Sequence, residues 1–147
     1  MVIASVGISK DKKGGIIIFP CWKDDYGVRR DSMKYIIMDG NYTEEELGEN
    51  IIKALKISRV NEQETIGQNA YLKASGLKSW NAFQKKYESV SVVIIDGEEW
   101  QVARHLKKKD HSYGLDKDEI EKYIRRYKEA LAADELGKVV LEMFAME

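Results

Sequence analysis

A capped amphipathic helix, predicted over residues 42–59, is the feature of this sequence that most constrains the fold. Thr43 stands at the N-cap position and Glu46 follows three residues later, so each side chain can bond the backbone N–H of the other residue. The apolar residues beyond this cap recur at helical spacing and form one stripe, made of Leu47, Ile51 and Leu55. Such a stripe has to be buried, so we expect the rest of the chain to supply a surface for it.

The Leu-Gly start of this helix occurs a second time near the C-terminus. Leu136-Gly137 and the residues after it can be laid over Leu47-Gly48, and each half of the chain also has a predicted hairpin and a Tyr-Gly loop (Tyr26-Gly27 and Tyr113-Gly114). Two interpretations stay open: an old internal duplication, or two units that look alike because they obey the same packing rules.

Two hairpins are predicted from β-rich segments and turn residues. The first joins residues 2–8 and 16–19 through Gly14-Gly15, and the second joins 89–95 and 99–104 through Asp96-Gly97. Pro20 is expected to end the first hairpin and to open a loop over residues 21–32, followed by a third strand over 33–38.

The helical segments complete the predicted fold. Short helices are expected over 70–75, closed by Gly76, and over 80–86, capped by Ser79 with Trp80 and Phe83 inward. Asp116 is expected to cap a further long helix, and a fresh helix is expected near Asp134. The stripe predicted for the Asp116 helix is Ile120, Ile124, Tyr127 and Leu131. The predicted fold class is α/β in the α+β sense. One domain spans residues 1–147, with a mainly antiparallel sheet, built from two hairpins and one strand, covered by about three long helices.

Composition restricts the class of protein. A chain of 147 residues with 44% apolar and 33% charged residues is typical of a soluble globular domain. The single cysteine, Cys21, excludes an intramolecular disulfide and fits a reducing compartment. We expect no signal peptide, because the N-terminal apolar run over residues 2–8 is short and lacks a basic leader, and no membrane partner, because no apolar run approaches ~18 residues. A net charge of −1 gives no electrostatic reason to expect nucleic acid as a partner.

No catalytic motif, metal site or cofactor site is predicted. His105, Asp110 and His111 match no common zinc spacing and no cysteine joins them, so exposed loop residues are the favoured interpretation. A small hydrolase or nucleotide-handling enzyme using these three residues is the alternative from another functional class, and a ligand-binding or adaptor module is a third. Lys107-Lys108-Lys109 beside Arg104 could hold phosphate, although a solvated loop is favoured.

Two surface segments are candidates for binding a partner. Glu44, Glu45 and Glu49 belong to an acidic stretch that either caps and solvates the helix or faces a basic partner. The loop over 21–32 contains Trp22, Asp24, Asp25 and Tyr26 with two arginines, residue types that dominate interface hot spots. The competing interpretation is that Trp22 and Tyr26 fold back onto the core.

Several of these segments resemble one protein family. The segment from Leu47-Gly48 through Ala54-Leu55 to Ser58-Arg59, the run Gly76-Leu77-Lys78-Ser79 and the closing Leu136-Gly137 helix are similar to those of CdiI-type immunity proteins of bacterial contact-dependent growth inhibition. The resemblance implies a cytoplasmic, non-catalytic α/β protein that binds and neutralises a cognate toxin domain, usually a nuclease. The expected mechanism is that acidic and aromatic side chains fill the basic substrate groove of the toxin. The predicted contact residues are Trp22, Asp24, Asp25, Tyr26, Glu44, Glu45 and Glu49.

Overall fold

An antiparallel sheet forms the centre of the protein in a computed structural model that describes residues 1–107, 113–114 and 120–146. The described part of the chain contributes eight strands in the order β3-β2-β1-β5-β6-β7, with β4 also paired to β2 and β8 also paired to β6. Their bounds are β1 Val2–Lys10, β2 Ile16–Lys23, β3 Arg29–Asp31, β4 Ile36–Met38, β5 Glu88–Ile95, β6 Glu99–Lys107, β7 Tyr113–Gly114 and β8 Ile124–Tyr127.

The strand order repeats itself about the central β1–β5 pair. On one side β2 pairs along its outer edge with β4 first and then with β3; on the other side β6 pairs first with β8 and then with β7. Each half then ends in a long helix, α1 (Glu44–Val60) after β4 and α4 (Ala133–Ala145) after β8. Because β1 and β5 are antiparallel, the halves are arranged with approximate two-fold symmetry.

Two short helices, α2 (Ala70–Ser75) and α3 (Trp80–Lys86), connect the halves and cover part of the second face of the sheet. Strand β2 is buried on both faces: Ile16 and Ile18 pack under α1 and α4, whereas Ile17 and Phe19 pack with Phe83 of α3. This burial explains why the sequence of β2 is an unbroken apolar run instead of an alternating one.

The two long helices pack against each other at their glycines. A Cβ atom added to Gly48 would lie 1.7 Å from the carbonyl oxygen of Ala133, and one added to Gly137 would lie 1.8 Å from the carbonyl oxygen of Glu44. Each glycine therefore admits the first turn of the other helix, and no other residue fits at either position. We call this reciprocal contact the helix crossing.

Most of the predicted elements are confirmed. The capping box at Thr43 and Glu46 is present, and the stripe of α1 is in the main core. The antiparallel α+β fold, the turn at Asp96-Gly97, both short helices and the fresh helix near Asp134 are also as predicted. The main core between the sheet and α1 and α4 includes Leu47, Ile51, Leu55, Val90, Val92, Val102, Leu136 and Met143.

The helix predicted to begin at Asp116 is wrong over its described part. Residues Ile120–Tyr123 form a single 3-10 turn and Ile124–Tyr127 form β8, which pairs with Trp100–Ala103 of β6. Tertiary pairing at the edge of β6 therefore overrides a helical apolar spacing. Asp116 and its capping box lie outside the described residues. The long helices are two, of 17 and 13 residues, and not three, among the residues that the structure describes.

The loop predicted after Pro20 is also wrong, because β2 continues through Pro20 to Lys23 and pairs with β3. The carbonyl oxygen of Pro20 accepts a hydrogen bond from Ser32 N at 2.8 Å, so the proline lies at an outer-edge position where no strand N–H is required. The third strand is shorter than expected, Ile36–Met38. Trp80, predicted inward, is 41% exposed although its ring stacks on Phe83. None of the helices in the described residues has the length and apolar content that a membrane-spanning helix needs.

The helix crossing predicts a specific loss of stability. Gly48→Ala should lower the free energy of unfolding by about 1–3 kcal/mol, although alanine is the better helix former, because the new methyl group meets a backbone carbonyl that cannot rotate away. Gly7→Ala is the matched control, since an added Cβ there has no neighbour within 4 Å. Urea unfolding of both variants measures the difference, and wild-type stability of Gly48→Ala would contradict the packing described.

Candidate binding surfaces

The β2–β3 hairpin ends in a tip that is organised by one carboxylate. Asp24 Oδ1 accepts hydrogen bonds from the backbone N–H groups of Tyr26 and Val28, both at 2.9 Å, and Oδ2 accepts from Arg30 Nε at 2.8 Å. The bond from the Arg30 guanidinium, followed by those from the two N–H groups, lowers the pKa of Asp24. Asp24 is 6% exposed, so its charge serves the turn and is not presented to a partner.

The same turn divides the predicted contact residues of the hairpin into a base and a tip. At the base, in strand β2, the side chain of Trp22 is buried and only 5% exposed. At the tip, Tyr26 is 87% exposed and the neighbouring Asp25 is exposed as well. Of the two aromatic residues that could have folded back onto the protein, only Trp22 does so. Asn61 and Gln63, just after α1, hold the base because both side chains bond the backbone of Lys23.

A second surface lies where the first turns of α1 and α4 meet at the helix crossing. The carboxylates of Glu44, Glu45, Glu49, Asp134 and Glu135 are exposed there, and none forms an ion pair within the described part of the chain. Acidic residues in a first helical turn are stabilised by the helix dipole, which accounts for Glu44 and Glu45 in α1 and for Asp134 and Glu135 in α4, whereas Glu49 lies one turn further along α1. The glycine contacts then place the two sets side by side. We call these five residues the acidic patch.

The seven predicted contact residues do not form one site. The hairpin is bound to Asn61 at the C-terminal end of α1, whereas the acidic patch begins at the first residue of that helix. A helix of 17 residues is about 25 Å long at 1.5 Å per residue, so the two surfaces are separated by most of that length. The structure therefore presents an aromatic tip and an acidic patch as separate features.

The residues of the alternative enzyme hypothesis are described only in part. His105 Nε2 lies 2.8 Å from Ser91 Oγ on the half-buried sheet, and burial lowers the pKa of His105, which favours the neutral imidazole. Asp110 and His111 lie outside the described residues. Over residues 1–107, 113–114 and 120–146, no group of three or more His, Cys, Asp or Glu side chains is placed to hold a metal ion.

Cys21 and Asp31 face each other across β2 and β3, with Sγ 3.8 Å from Oδ1. Burial, reinforced by the charge of Asp31, raises the pKa of Cys21 to about 12, so the thiol stays protonated and is a poor nucleophile at neutral pH. Burial also raises the pKa of Asp31 to about 6.

Comparison with known proteins shows that the fold of this chain is similar to that of solved structures. No protein-family model matches the chain, and no curated protein matches it. Among solved structures, the "Protein of Unknown Function NMB0488 from Neisseria meningitidis" is similar over 97% of this chain and 93% of that one, with a TM-score of 0.68 and 13% sequence identity. A chain of the "CdiA-CT/CdiI toxin and immunity complex from Yersinia pseudotuberculosis" is similar over 97% of this chain and 95% of that one, with a TM-score of 0.62 and 12% identity.

Sequence reasoning missed Asp134 and Glu135 as members of the acidic patch. A signal was present, because laying Leu136-Gly137 over Leu47-Gly48 also lays these two acids over Glu45 and Glu46. The alignment shows that both helices start with acids. Only the reciprocal contact at the glycines shows that the two starts are neighbours.

The raised pKa of Asp31 predicts that its contribution to stability depends on pH. Its pKa rises from an ordinary value of 3.8 to about 6 on folding, so the folded state binds more protons at this group and the contribution of Asp31 to the free energy of unfolding falls as the pH rises from about 4 to about 6. Asp31→Asn should remove this fall and raise the free energy of unfolding at pH 7 by no more than about 3 kcal/mol. Urea unfolding of both proteins at pH 4.5 and pH 7 measures it; the idea fails if the variant gains nothing at pH 7 relative to pH 4.5.

Proposed function

We propose that this protein is an immunity protein, which binds a toxin domain and blocks its active site without catalysis of its own. The observation that supports the proposal is the likeness of nearly the whole fold to a chain of a toxin and immunity complex. The helix segments that resemble CdiI-type proteins support the same class and favour a nuclease as the toxin and the cytoplasm as the compartment.

The hairpin tip is the proposed anchor of the interface. Tyr26 offers a large ring with few rotatable bonds, and the turn that presents it is already fixed by the three hydrogen bonds of Asp24. A segment fixed before binding loses little conformational entropy when the complex forms, so more of the contact free energy becomes affinity. Asp25 and Tyr26 are thus the proposed contacts, with Trp22 and Asp24 as their support.

The acidic patch has a different proposed role. A nuclease binds phosphates and therefore carries a basic groove, which the field of several unpaired carboxylates attracts over a distance. Charges that act in this way mainly raise the association rate, whereas a buried aromatic contact mainly slows dissociation. We therefore assign the steering of the toxin towards the protein to the acidic patch. The contact that slows dissociation is assigned to the hairpin tip, which lies most of the length of α1 away.

Binding kinetics separate these two roles. Tyr26→Ala should speed dissociation of the cognate toxin about 30-fold, the equivalent of about 2 kcal/mol for an interface hot spot, with little change in association. Replacing Glu44, Glu45 and Glu49 together by Gln should slow association about tenfold at low salt and leave dissociation nearly unchanged. Surface plasmon resonance at 50 mM and 300 mM salt measures both rates.

Two control variants are matched to these changes. Ile37→Ala removes another exposed apolar side chain, on β4, and should leave both rates as in the wild type. Replacing Glu121, Glu129 and Glu142 by Gln removes the same number of charges from exposed positions outside the tip and the patch and should slow association much less than the patch variant. If the controls change the rates as much as the test variants do, the interface lies elsewhere on the protein.

The enzyme alternative has its own test. His105→Ala combined with His111→Ala should leave protection of toxin-expressing cells intact, because the proposed mechanism uses neither imidazole. The purified wild-type protein should show no hydrolysis of RNA, DNA or nucleotides. Hydrolysis that is present in the wild type and lost in the double variant would instead support a hydrolase.

A further inference from the structure

Four lysines from two distant segments converge at the end of the sheet where β1 turns into β2. Lys12 and Lys13 lie in that turn, and Lys85 and Lys86 lie in the last turn of α3. Two adjoining cavities of about 140 Å³ and 320 Å³ are both lined by Lys12, Lys85 and Lys86 together with Asp11, and Lys13 lines the larger one. We call this arrangement the lysine cavity. It shares no residue with the hairpin tip or with the acidic patch.

Two acids line these cavities with the lysines: Asp11 keeps its charge but is held by the turn, and Glu88 is paired with two basic side chains. Asp11 Oδ1 accepts from the backbone N–H groups of Lys13 at 2.9 Å and Gly15 at 2.8 Å, so this carboxylate stabilises the turn. Glu88 lies 3.7 Å from Arg104 and 3.4 Å from Lys107. Arg104 in turn donates hydrogen bonds to the carbonyl groups at the end of α4.

The four lysines of the cavity therefore keep an excess of positive charge. None of them forms an ion pair within the residues that the structure describes. The helix dipole favours Lys85 and Lys86 at the end of α3, but it does not account for Lys12 and Lys13 in a separate turn that shares the same cavities. An anion placed in the cavities would be close to lysines of both segments.

We propose that the lysine cavity binds phosphate groups. Lysine is a compact charge on a flexible stem that suits phosphate, and the recessed position brings several such charges around one small, doubly charged group. The nearby rings of Tyr87 and Phe144 are buried, so among the described residues these rings offer no open aromatic face to a nucleobase. Recognition is therefore of phosphate and not of base sequence, and the phosphate comes from a nucleic-acid backbone or from a small polyphosphate.

This inference does not depend on the proposed function, and it differs from the expectation from net charge. The net charge of −1 is the sum of 24 basic and 25 acidic residues over the whole chain, whereas a ligand responds to the local charge of the surface that it meets. Of the basic run predicted at Lys107, only Lys107 is described, and it lines the smaller cavity. Lys107 is paired with Glu88, and Lys108 and Lys109 lie outside the described residues.

The experiment measures binding of two probes to the full chain, a fluorescein-labelled 20-nucleotide RNA of mixed sequence and inorganic tripolyphosphate. If four lysines each neutralise one RNA phosphate, affinity should fall about 50-fold between 50 mM and 200 mM salt, from a slope of about −0.7 per phosphate. Replacing Lys85 and Lys86 by Gln should reduce this fall to about sevenfold by removing two of the four contacts. Replacing all four lysines by Gln should abolish binding of both probes.

The control replaces Lys53 and Lys56, two exposed lysines of α1, by Gln, with the same change in net charge as the Lys85 and Lys86 variant. It should bind both probes as the wild type does, and circular dichroism should show every variant folded. Binding of RNA alone assigns the phosphate to a nucleic acid, and binding of tripolyphosphate with equal loss in the variants assigns it to a small polyphosphate. Absence of binding by both probes at 50 mM salt, binding of poly-glutamate instead, or equal loss in the control would overturn the proposal.

Discussion

The close approach of two helix backbones at Gly48 and Gly137 is the constraint on which the rest of this structure depends. A carbonyl oxygen occupies the position that a Cβ atom would take at each glycine, so the first turns of α1 and α4 are as near as two helices can come. This proximity allows two helices to cover one antiparallel sheet and to share one core, in which Leu47 and Leu136 are both completely buried. It also brings together two groups of carboxylates that lie about ninety positions apart in the sequence.

The two halves have the same strand pairing but different surroundings. In the first half, α2 and α3 pack on the second face of β2, and the segment between α1 and α2 holds the base of the β2–β3 hairpin through Asn61 and Gln63. The hairpin tip is therefore supported by contacts from this connecting segment of the first half. The lysine cavity depends on the same connecting segment, since α3 contributes two of its lysines. The hairpin tip and the lysine cavity thus arise where the approximate symmetry is broken, whereas the acidic patch lies at the helix crossing, to which both halves contribute alike.

The sequence predicts the elements that are determined by neighbouring residues. The capping box at Thr43, the turn at Asp96-Gly97 and the helix closed by Gly76 depend on bonds within a few positions, and all are found where expected. Strand β8 was missed because its apolar spacing is also compatible with a helix, and only pairing with β6 decides between the two. The burial of Trp22 and the internal use of Asp24 depend on Arg30 and on the hairpin as a whole. The residue types of this segment indicate a binding loop. They do not show which side chains stabilise the turn and which are exposed for contact with a partner.

The carboxylate of Asp24 has a consequence for how the surface can change over time. It fixes the turn through backbone N–H groups and through Arg30, and so the side chains of residues 25 and 26 have no part in holding the turn together. Asp25 and Tyr26 can then be exchanged for other residues with little cost to folding, while Asp24, Arg30 and Trp22 stay as they are. Substitutions at these two positions can therefore change the chemistry of the exposed tip during evolution, while the backbone of the turn keeps its conformation.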